Sequence, residues 1–123
     1  MKKNVLFVGL TILLVLVCPT CCFLTPRPVL AFQPDILPDA RVGTLYKVDI
    51  LITGNVTPVD NYSISDGAFP PGLALVMDEQ HSLRIIGTPA AAGTFQFTMR
   101  VSCYGTNVSG QTGEKQYTLV VGE

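Results

Sequence analysis

The residues best suited to bind a metal ion are few and scattered. His81 is the only histidine among the 123 residues, and its polar surroundings favour a solvated loop position over a catalytic role. Four carboxylates lie where turns are predicted: Asp60, Asp66, Asp78 and Glu79. If these carboxylates meet at one end of the fold, their oxygens suit Ca²⁺, although their spacing is not that of a dedicated calcium loop. We therefore expect no metal site, with these four carboxylates as weak candidates for calcium.

Sequence patterns for nucleophilic catalysis are missing. There is no Gly-x-Ser-x-Gly elbow, no phosphate-binding glycine loop and no pair of carboxylates at an informative spacing. Cys103, the one cysteine beyond the amino-terminal segment, falls on the apolar face of a predicted strand. This position favours a small core residue over a reactive thiol. The sequence predicts a protein that is not an enzyme and that needs no cofactor.

The charge balance bears on the class of partner. From Phe32 onward the chain has nine acidic and five basic residues, a net charge of −4, and the basic residues form no cluster. Nucleic-acid binding depends on such clusters. We therefore expect no nucleic-acid partner.

The first 24 residues have the pattern of an export signal or a membrane anchor. Lys2 and Lys3 precede Val5–Leu24, a stretch of twenty residues without a formal charge. A positive flank before an apolar run favours export with the amino terminus inside. An uncharged stretch of this length can also just span a bilayer. The predicted location is the cell envelope, in the periplasm or on the cell surface.

Three fates remain open for this segment. Cleavage after Ala31 would release the protein. Lipid attachment would anchor it through a cysteine that follows the apolar run, and the candidates are Cys18, Cys21 and Cys22. An uncleaved apolar helix is the third alternative. Residues 25–34, which begin Thr25-Pro26-Arg27-Pro28, are interpreted as a Pro-rich spacer.

Residues 35–123 alternate apolar and polar side chains in short segments separated by turn signals. The longest such segment places five apolar side chains on one face: Phe95, Phe97, Met99, Val101 and Cys103. Similar alternation follows Tyr46, Tyr62, Leu73, Leu83 and Tyr117. Period-2 segments of this kind are half-buried strands. The prediction is an all-β, immunoglobulin-like sandwich of about seven antiparallel strands, preceded by an amino-terminal apolar helix.

Several motifs in this domain resemble the immunoglobulin-like domains of bacterial surface proteins, a family related to cadherin-like and dystroglycan-type repeats. Three segments carry the resemblance, in the family's order: Leu37–Tyr46, then Pro70-Pro71-Gly72-Leu73, then Gly87-Thr88-Pro89 followed by Gly93-Thr94-Phe95. The resemblance covers Leu37–Val121 and implies the fold; in this family the motif marks a structure and no activity. Cadherin-like relatives bind calcium just after the long strand, where this chain has Cys103–Asn107 and no aspartate.

Export, a sandwich fold and the lack of catalytic motifs together favour a non-catalytic binding or assembly module. We expect contacts with other envelope proteins through a sheet edge or through the loops Asp66–Pro70 and Gly105–Glu114. The alternative is an adhesion module that binds a glycan or calcium. Tyr62, Phe69 and Tyr104 are either exposed for stacking on sugars or packed in the core.

Overall fold

Eight β-strands form in residues 26–123, the part of the chain that the computed structural model describes. They are β1 (Ala31–Gln33), β2 (Ala40–Arg41), β3 (Tyr46–Thr53), β4 (Val59–Gly67), β5 (Leu73–Met77), β6 (Leu83–Gly87), β7 (Gly93–Cys103) and β8 (Thr112–Gly122). Within this range no helix has the length and apolarity needed to cross a bilayer. The predicted apolar helix and the lipidation candidates Cys18, Cys21 and Cys22 lie outside the described residues.

The strands form two four-stranded sheets, in the orders β1-β3-β6-β5 and β2-β8-β7-β4. All pairs are antiparallel except β2 with β8, where Ala40 lies opposite Val121. Two sheets in which the third and sixth strands are neighbours, and the seventh and eighth are neighbours, match the arrangement of immunoglobulin-type sandwiches. The prediction of an all-β sandwich is confirmed.

The core lies between the two sheets, and the alternating pattern produces it. In β7, Phe97, Met99, Val101 and Cys103 are buried while the residues between them face outward. The buried hydrophobic set also includes Ile50 from β3, Leu83 and Ile85 from β6, and Tyr117, Leu119 and Val121 from β8. No polar or charged side chain of the described residues is buried. Burial of apolar side chains from both sheets therefore holds the sandwich together, without a disulfide in this range.

The sandwich begins earlier than the sequence suggests. Residues 31–33, assigned above to the Pro-rich spacer, form β1, which pairs with the end of β3 (Ala31 opposite Thr53). Leu30 and Phe32 are buried in the core. A three-residue strand gives too little alternation to detect, and its apolar residues follow directly on the apolar leader. The spacer is thus shorter than 25–34, because its last residues belong to the first sheet.

Two of the segments that carry the resemblance, Pro70–Leu73 and Gly87–Pro89, lie next to each other. The Gly72 carbonyl accepts a hydrogen bond from the Thr88 amide (3.1 Å), and the Pro71 carbonyl accepts one from the Ala90 amide (2.9 Å). Pro70 and Pro89 are both fully buried beside these bonds. Gly72 has φ of +89°, and a β-carbon there would lie well under 3.0 Å from the Thr88 carbonyl oxygen. The motif residues therefore join the start of β5 to the end of β6.

The strand directions give the sandwich two distinct ends. Residues 26–30 and the loops 54–58, 78–82 and 104–111 lie at the amino-terminal end. The pairing of Ala31 in β1 with Thr53 in β3, and of Val59 in β4 with Cys103 in β7, places them there. At the carboxy-terminal end lie the loops 42–45, 68–72 and 88–92, beside the end of β8. The chain therefore enters and leaves the sandwich at opposite ends.

Candidate functional site

A groove opens at the amino-terminal end, where β3 extends beyond its partner β6. β6 begins at Leu83, opposite Ile50, so residues 51–53 have no partner on that side. The resulting groove has a volume of about 400 Å³. Its lining is Ile50, Leu51, Ile52, Asn55, Val56, Thr57, Pro58, Val59, Gln80, His81 and Ser82. Apolar strand residues thus form one part of the groove, and amide, hydroxyl and imidazole groups form the rest.

His81 is not the freely solvated side chain that its polar loop suggests. It is half-buried with a left-handed backbone (φ 60°). Its Nδ1 is enclosed without a hydrogen-bond partner. The imidazole packs edge-on against Tyr104, with ring centroids 5.9 Å apart. Of the described residues that line the groove, only His81 has an ionisable side chain, so general acid–base chemistry would lack a second group.

Gln111 ties the amino-terminal segment to this end of the sandwich. Its amide nitrogen donates to the carbonyls of Pro28 (2.8 Å) and Gly54 (3.0 Å). Its side-chain oxygen accepts from the Val56 amide at 2.7 Å. Arg27 also donates to the Ser109 carbonyl. No sequence motif marks Gln111, since the three groups it joins are 55 or more residues away.

The four calcium candidates do not meet. Asp60 is the second residue of β4 and Asp66 is the residue before its last, so they are about 20 Å apart at the rise of a strand. Asp78 and Glu79 lie in the loop 78–82, where the Asp78 carboxylate accepts bonds from the amides of Gln80 (3.0 Å) and Ser82 (2.9 Å). Within the described part of the chain no three His, Cys, Asp or Glu side chains are grouped for a metal ion. The carboxylates therefore act as separate turn and strand residues.

Cys103 and two of the three aromatic candidates belong to the core. Cys103 is buried at the end of β7, and burial raises the pKa of its thiol. Phe69 packs edge-on against Phe97 (5.0 Å between centroids), and Tyr62 is half-buried against the core. Tyr104 is 46% exposed beside His81. Of the three, only Tyr104 is placed to contact another molecule.

The predicted contact loops lie at opposite ends of the sandwich. Residues 68–70 of the first loop are at the carboxy-terminal end, while residues 105–111 of the second are at the amino-terminal end. Their outer residues, 66–67 and 112–114, are strand residues of β4 and β8. One globular partner therefore cannot be contacted by both loops through a single flat surface. A sheet edge, which one partner can contact along its whole length, is therefore the simpler site.

β5 is one of the two outermost strands of its sheet, and among the strands of five or more residues it has the least protected edge. Its sequence, Leu-Ala-Leu-Val-Met, contains no charge, proline or glycine. Its register with β6 is regular over five pairs, from Leu73 with Gly87 to Met77 with Leu83. Ala74 and Val76 point outward, and Val76 is 37% exposed. Alternate backbone N–H and C=O groups of an outermost strand point away from the sheet, available to a further strand.

The other edges have features that oppose strand addition. β4 carries Asp60 and Asp66 and has two register shifts against β7. The exposed part of β3 carries Lys47 and Asp49, and Asp49 pairs with Arg84 of β6. β8 is covered by residues 34–39, the crossing segment that leads from β1 to β2. In it, Asp35 pairs with Lys115 and the Pro34 carbonyl accepts from the Tyr117 hydroxyl (2.9 Å). Charges, bulges and covering segments are the usual protection against edge pairing, and β5 has none of them.

Among the described residues, two buried tyrosines have strongly raised pKa values. Burial, with a smaller contribution from Asp39, raises the pKa of Tyr46 to about 12. Burial, assisted by Asp35, raises the pKa of Tyr117 to about 12. Each hydroxyl donates to a carbonyl of the crossing segment, Pro38 for Tyr46 (2.8 Å) and Pro34 for Tyr117. Both pKa shifts thus result from packing in the core, and neither tyrosine lines the groove.

Comparison with known proteins supports the fold and nothing more specific. No protein-family model matches the chain, and no curated protein sequence matches it. Among solved structures, an endo-fucoidan hydrolase from glycoside hydrolase family 107 is similar over 79% of this chain, with 16% identity and a TM-score of 0.56. The chain spans 14% of that hydrolase's length. The titin M3 domain is similar over 78% of this chain and 99% of its own length, with 14% identity and a TM-score of 0.49.

Proposed function

We propose that this chain is a non-catalytic, membrane-anchored module of the cell envelope that binds another protein through the free edge of β5. Within immunoglobulin-like folds, we place it with the cadherin-like and dystroglycan-type domains of bacterial surface proteins. The contact between its two motif segments, Gly72 with Thr88, supports that placement. The unprotected edge of β5 is the observation that supports protein binding.

The chemistry of β5 suits an extended peptide of the partner. Strand addition supplies main-chain hydrogen bonds along the edge, and side chains next to it supply specificity. The outward-facing Ala74 and Val76 are small and apolar, so an added strand meets no charge and no bulky side chain. An exposed edge of this kind is an aggregation hazard for a protein without a partner. A partner strand would remove that hazard.

Anchoring is supported by the way the chain enters the sandwich. Cleavage after Ala31 would cut β1 and remove Leu30, which is buried. It would also remove the carbonyl of Pro28 that Gln111 binds. These losses favour processing before residue 27, by lipid attachment to Cys18, Cys21 or Cys22, or retention of the apolar segment. Either outcome leaves the module attached to the membrane.

The absence of catalysis is part of the proposal. It is supported by the composition of the groove, in which His81 is the one ionisable side chain among the described lining residues. Catalytic sites generally bring several such groups within hydrogen-bonding distance.

A second function, glycan binding, has one specific observation in its favour. The groove presents Asn55, Thr57, Gln80 and Ser82 together with apolar strand residues, and Tyr104 lies at its margin through the bond from the Thr57 hydroxyl to the Tyr104 carbonyl (2.6 Å). Amides and an aromatic side chain are the usual groups for sugar recognition. The calcium version of this alternative has less support, since Asp66 is at the other end of β4 from Asp60.

The experiment for the main proposal compares two exposed valines. A photoreactive amino acid replaces Val76 on β5 or Val120 on β8, which have similar exposures of 37% and 43%. After irradiation of cells that make the full-length protein, we expect a discrete cross-linked product from position 76 and none from position 120. Mass spectrometry of the product identifies the partner.

Charge substitution at the same positions provides the control. Val76→Lys places a charge on the edge and should abolish co-purification of the partner, whereas Val120→Lys should leave it intact. Equal recovery of the partner with both variants would contradict binding through β5. Recovery of the unaltered protein from membrane extracts only as a monomer would contradict the proposed function itself.

A further inference from the structure

We propose that the amino-terminal end of the sandwich rests on the lipid bilayer, with an exposed apolar cluster in contact with the membrane surface. This inference depends on the membrane anchoring proposed above. The cluster consists of Val29, Val56, Tyr104 and Val108, which are 85%, 71%, 46% and 55% exposed.

Hydrogen bonds fix the three segments that carry the cluster. Gln111 joins Pro28, the residue before Val29, to the amide of Val56. The Thr57 hydroxyl donates to the carbonyl of Tyr104, and the Tyr104 amide donates to the Pro58 carbonyl at 3.0 Å. The Thr106 amide donates to the carbonyl of Val108 at 3.0 Å. The four side chains are thus presented together by a braced end of the sandwich.

The course of the chain indicates what covers this cluster. The apolar run Val5–Leu24 ends three residues before Arg27, which donates to the Ser109 carbonyl in the loop 104–111. Three residues of extended chain span at most about 11 Å. Attachment at Cys22 allows about 18 Å, and attachment at Cys18 about 32 Å. For an apolar segment in the bilayer, or a lipid on Cys21 or Cys22, the nearest surface to the cluster is therefore the membrane.

The charges at this end fit a lipid surface without depending on anionic lipids. The loops 54–58 and 104–111 contain no charged residue. Of the acidic residues at this end, Asp78 and Glu79 lie in the loop 78–82, and Asp60 is the second residue of β4. Valine side chains bury apolar area at a membrane surface, and tyrosine is enriched at the headgroup level. The cluster therefore suits shallow insertion, with the loop 78–82 tilted toward water.

The test uses tryptophan as a depth reporter, because the protein contains none. Full-length Val56→Trp and Leu45→Trp proteins are reconstituted into vesicles of phosphatidylcholine and phosphatidylglycerol, with or without bromine on the phosphatidylcholine acyl chains. Leu45 is the matched control, since it is 68% exposed but lies in the loop 42–45 at the opposite end. We expect brominated lipid to quench Val56→Trp and to leave Leu45→Trp unchanged. A Val108→Trp protein should behave like Val56→Trp.

The outcomes separate this inference from the anchoring on which it depends. If the proteins float with the vesicles but Val56→Trp and Val108→Trp are not quenched, anchoring stands and the orientation is wrong. Equal quenching of Leu45→Trp also overturns the orientation. A blue-shifted Val56→Trp emission that brominated lipid does not change means that protein covers the cluster, which overturns it as well. If the proteins do not float with the vesicles, the anchoring fails and this inference fails with it.

Discussion

Two glycines with similar backbone angles allow the structural role of the Pro70-Pro71-Gly72-Leu73 segment to be tested. Gly72 and Gly43 have φ of +89° and +75°. A β-carbon at Gly43 would contact nothing within 4 Å, whereas one at Gly72 would lie well under 3.0 Å from the Thr88 carbonyl oxygen and 3.1 Å from the Ala90 nitrogen. Alanine at either position therefore pays a similar conformational cost. Only at Gly72 must the added methyl group also displace the backbone of Thr88 and Ala90.

The expected magnitudes follow from this difference. An L-residue in the left-handed region costs about 1–2 kcal/mol, partly offset by the about 0.4–1 kcal/mol that alanine gains from a less flexible unfolded chain. Gly43→Ala should thus lower the free energy of unfolding by about 1 kcal/mol. At Gly72 the displaced backbone adds about 1–3 kcal/mol, as in overpacked cores. Gly72→Ala should therefore lower it by about 2–4 kcal/mol.

Thermal unfolding of the full-length protein, followed by near-ultraviolet circular dichroism of the packed tyrosines, measures the difference. In a domain of this size about 1 kcal/mol corresponds to about 4–8 °C in Tm. We expect Gly72→Ala to lower Tm by about 10–20 °C and Gly43→Ala by about 5 °C. Equal losses of Tm in the two variants would show that glycine is needed at position 72 only for its backbone angle. The close contact between Gly72 and Thr88 would then contribute nothing to stability.

Two further predictions concern the tyrosines and the amino-terminal segment. Because the folded-state pKa values of Tyr46 and Tyr117 are raised to about 12, their contribution to stability is complete below pH 10 and is lost as the pH rises from about 10 to 12, by up to about 1.4 kcal/mol per pH unit for each tyrosine. Urea unfolding at pH 8, 10 and 11 measures this loss, and an unchanged midpoint at pH 11 would contradict it. Gln111→Leu removes three hydrogen bonds, worth about 0.5–1.5 kcal/mol each, and should speed amide hydrogen exchange in residues 27–31. Gln116→Leu, on the exposed face of β8, is the control, and equal exchange in the two variants would refute this role of Gln111.

Much of the sandwich could be predicted because its long strands carry their burial pattern in the sequence. In β7 every second side chain faces the core, so the strand, its buried face and the burial of Cys103 all follow from a single period of two. β1 and β2 could not be found in this way, since strands of three and two residues contain at most one repeat of that period. They form because the long strands β3 and β8 present free edges to the chain as it passes.

The candidate surfaces were harder to predict than the fold. The carboxylates Asp60 and Asp66 are six positions apart in the sequence, and only the finding that one continuous strand contains both places them near its opposite ends. The groove depends on where β6 begins relative to β3, a register that local sequence does not specify. The exposed edge of β5 depends on strand order in the sheet, which is a property of the whole chain. The composition of the loops indicated that they are polar, but it could not show which loops lie at the same end of the sandwich.

The two proposals together restrict the partner of β5. If two copies of this chain paired their β5 strands in the antiparallel sense, the two-fold axis would reverse one sandwich relative to the other. Their amino-terminal ends would then point in opposite directions along the strands, about 35 Å apart at the length of the eleven-residue β8. Both ends cannot rest on one bilayer in that arrangement. A β5 partner in the intact membrane is therefore a different chain or a strand that adds in parallel, and cross-links from position 76 should not come from two copies paired in the antiparallel sense.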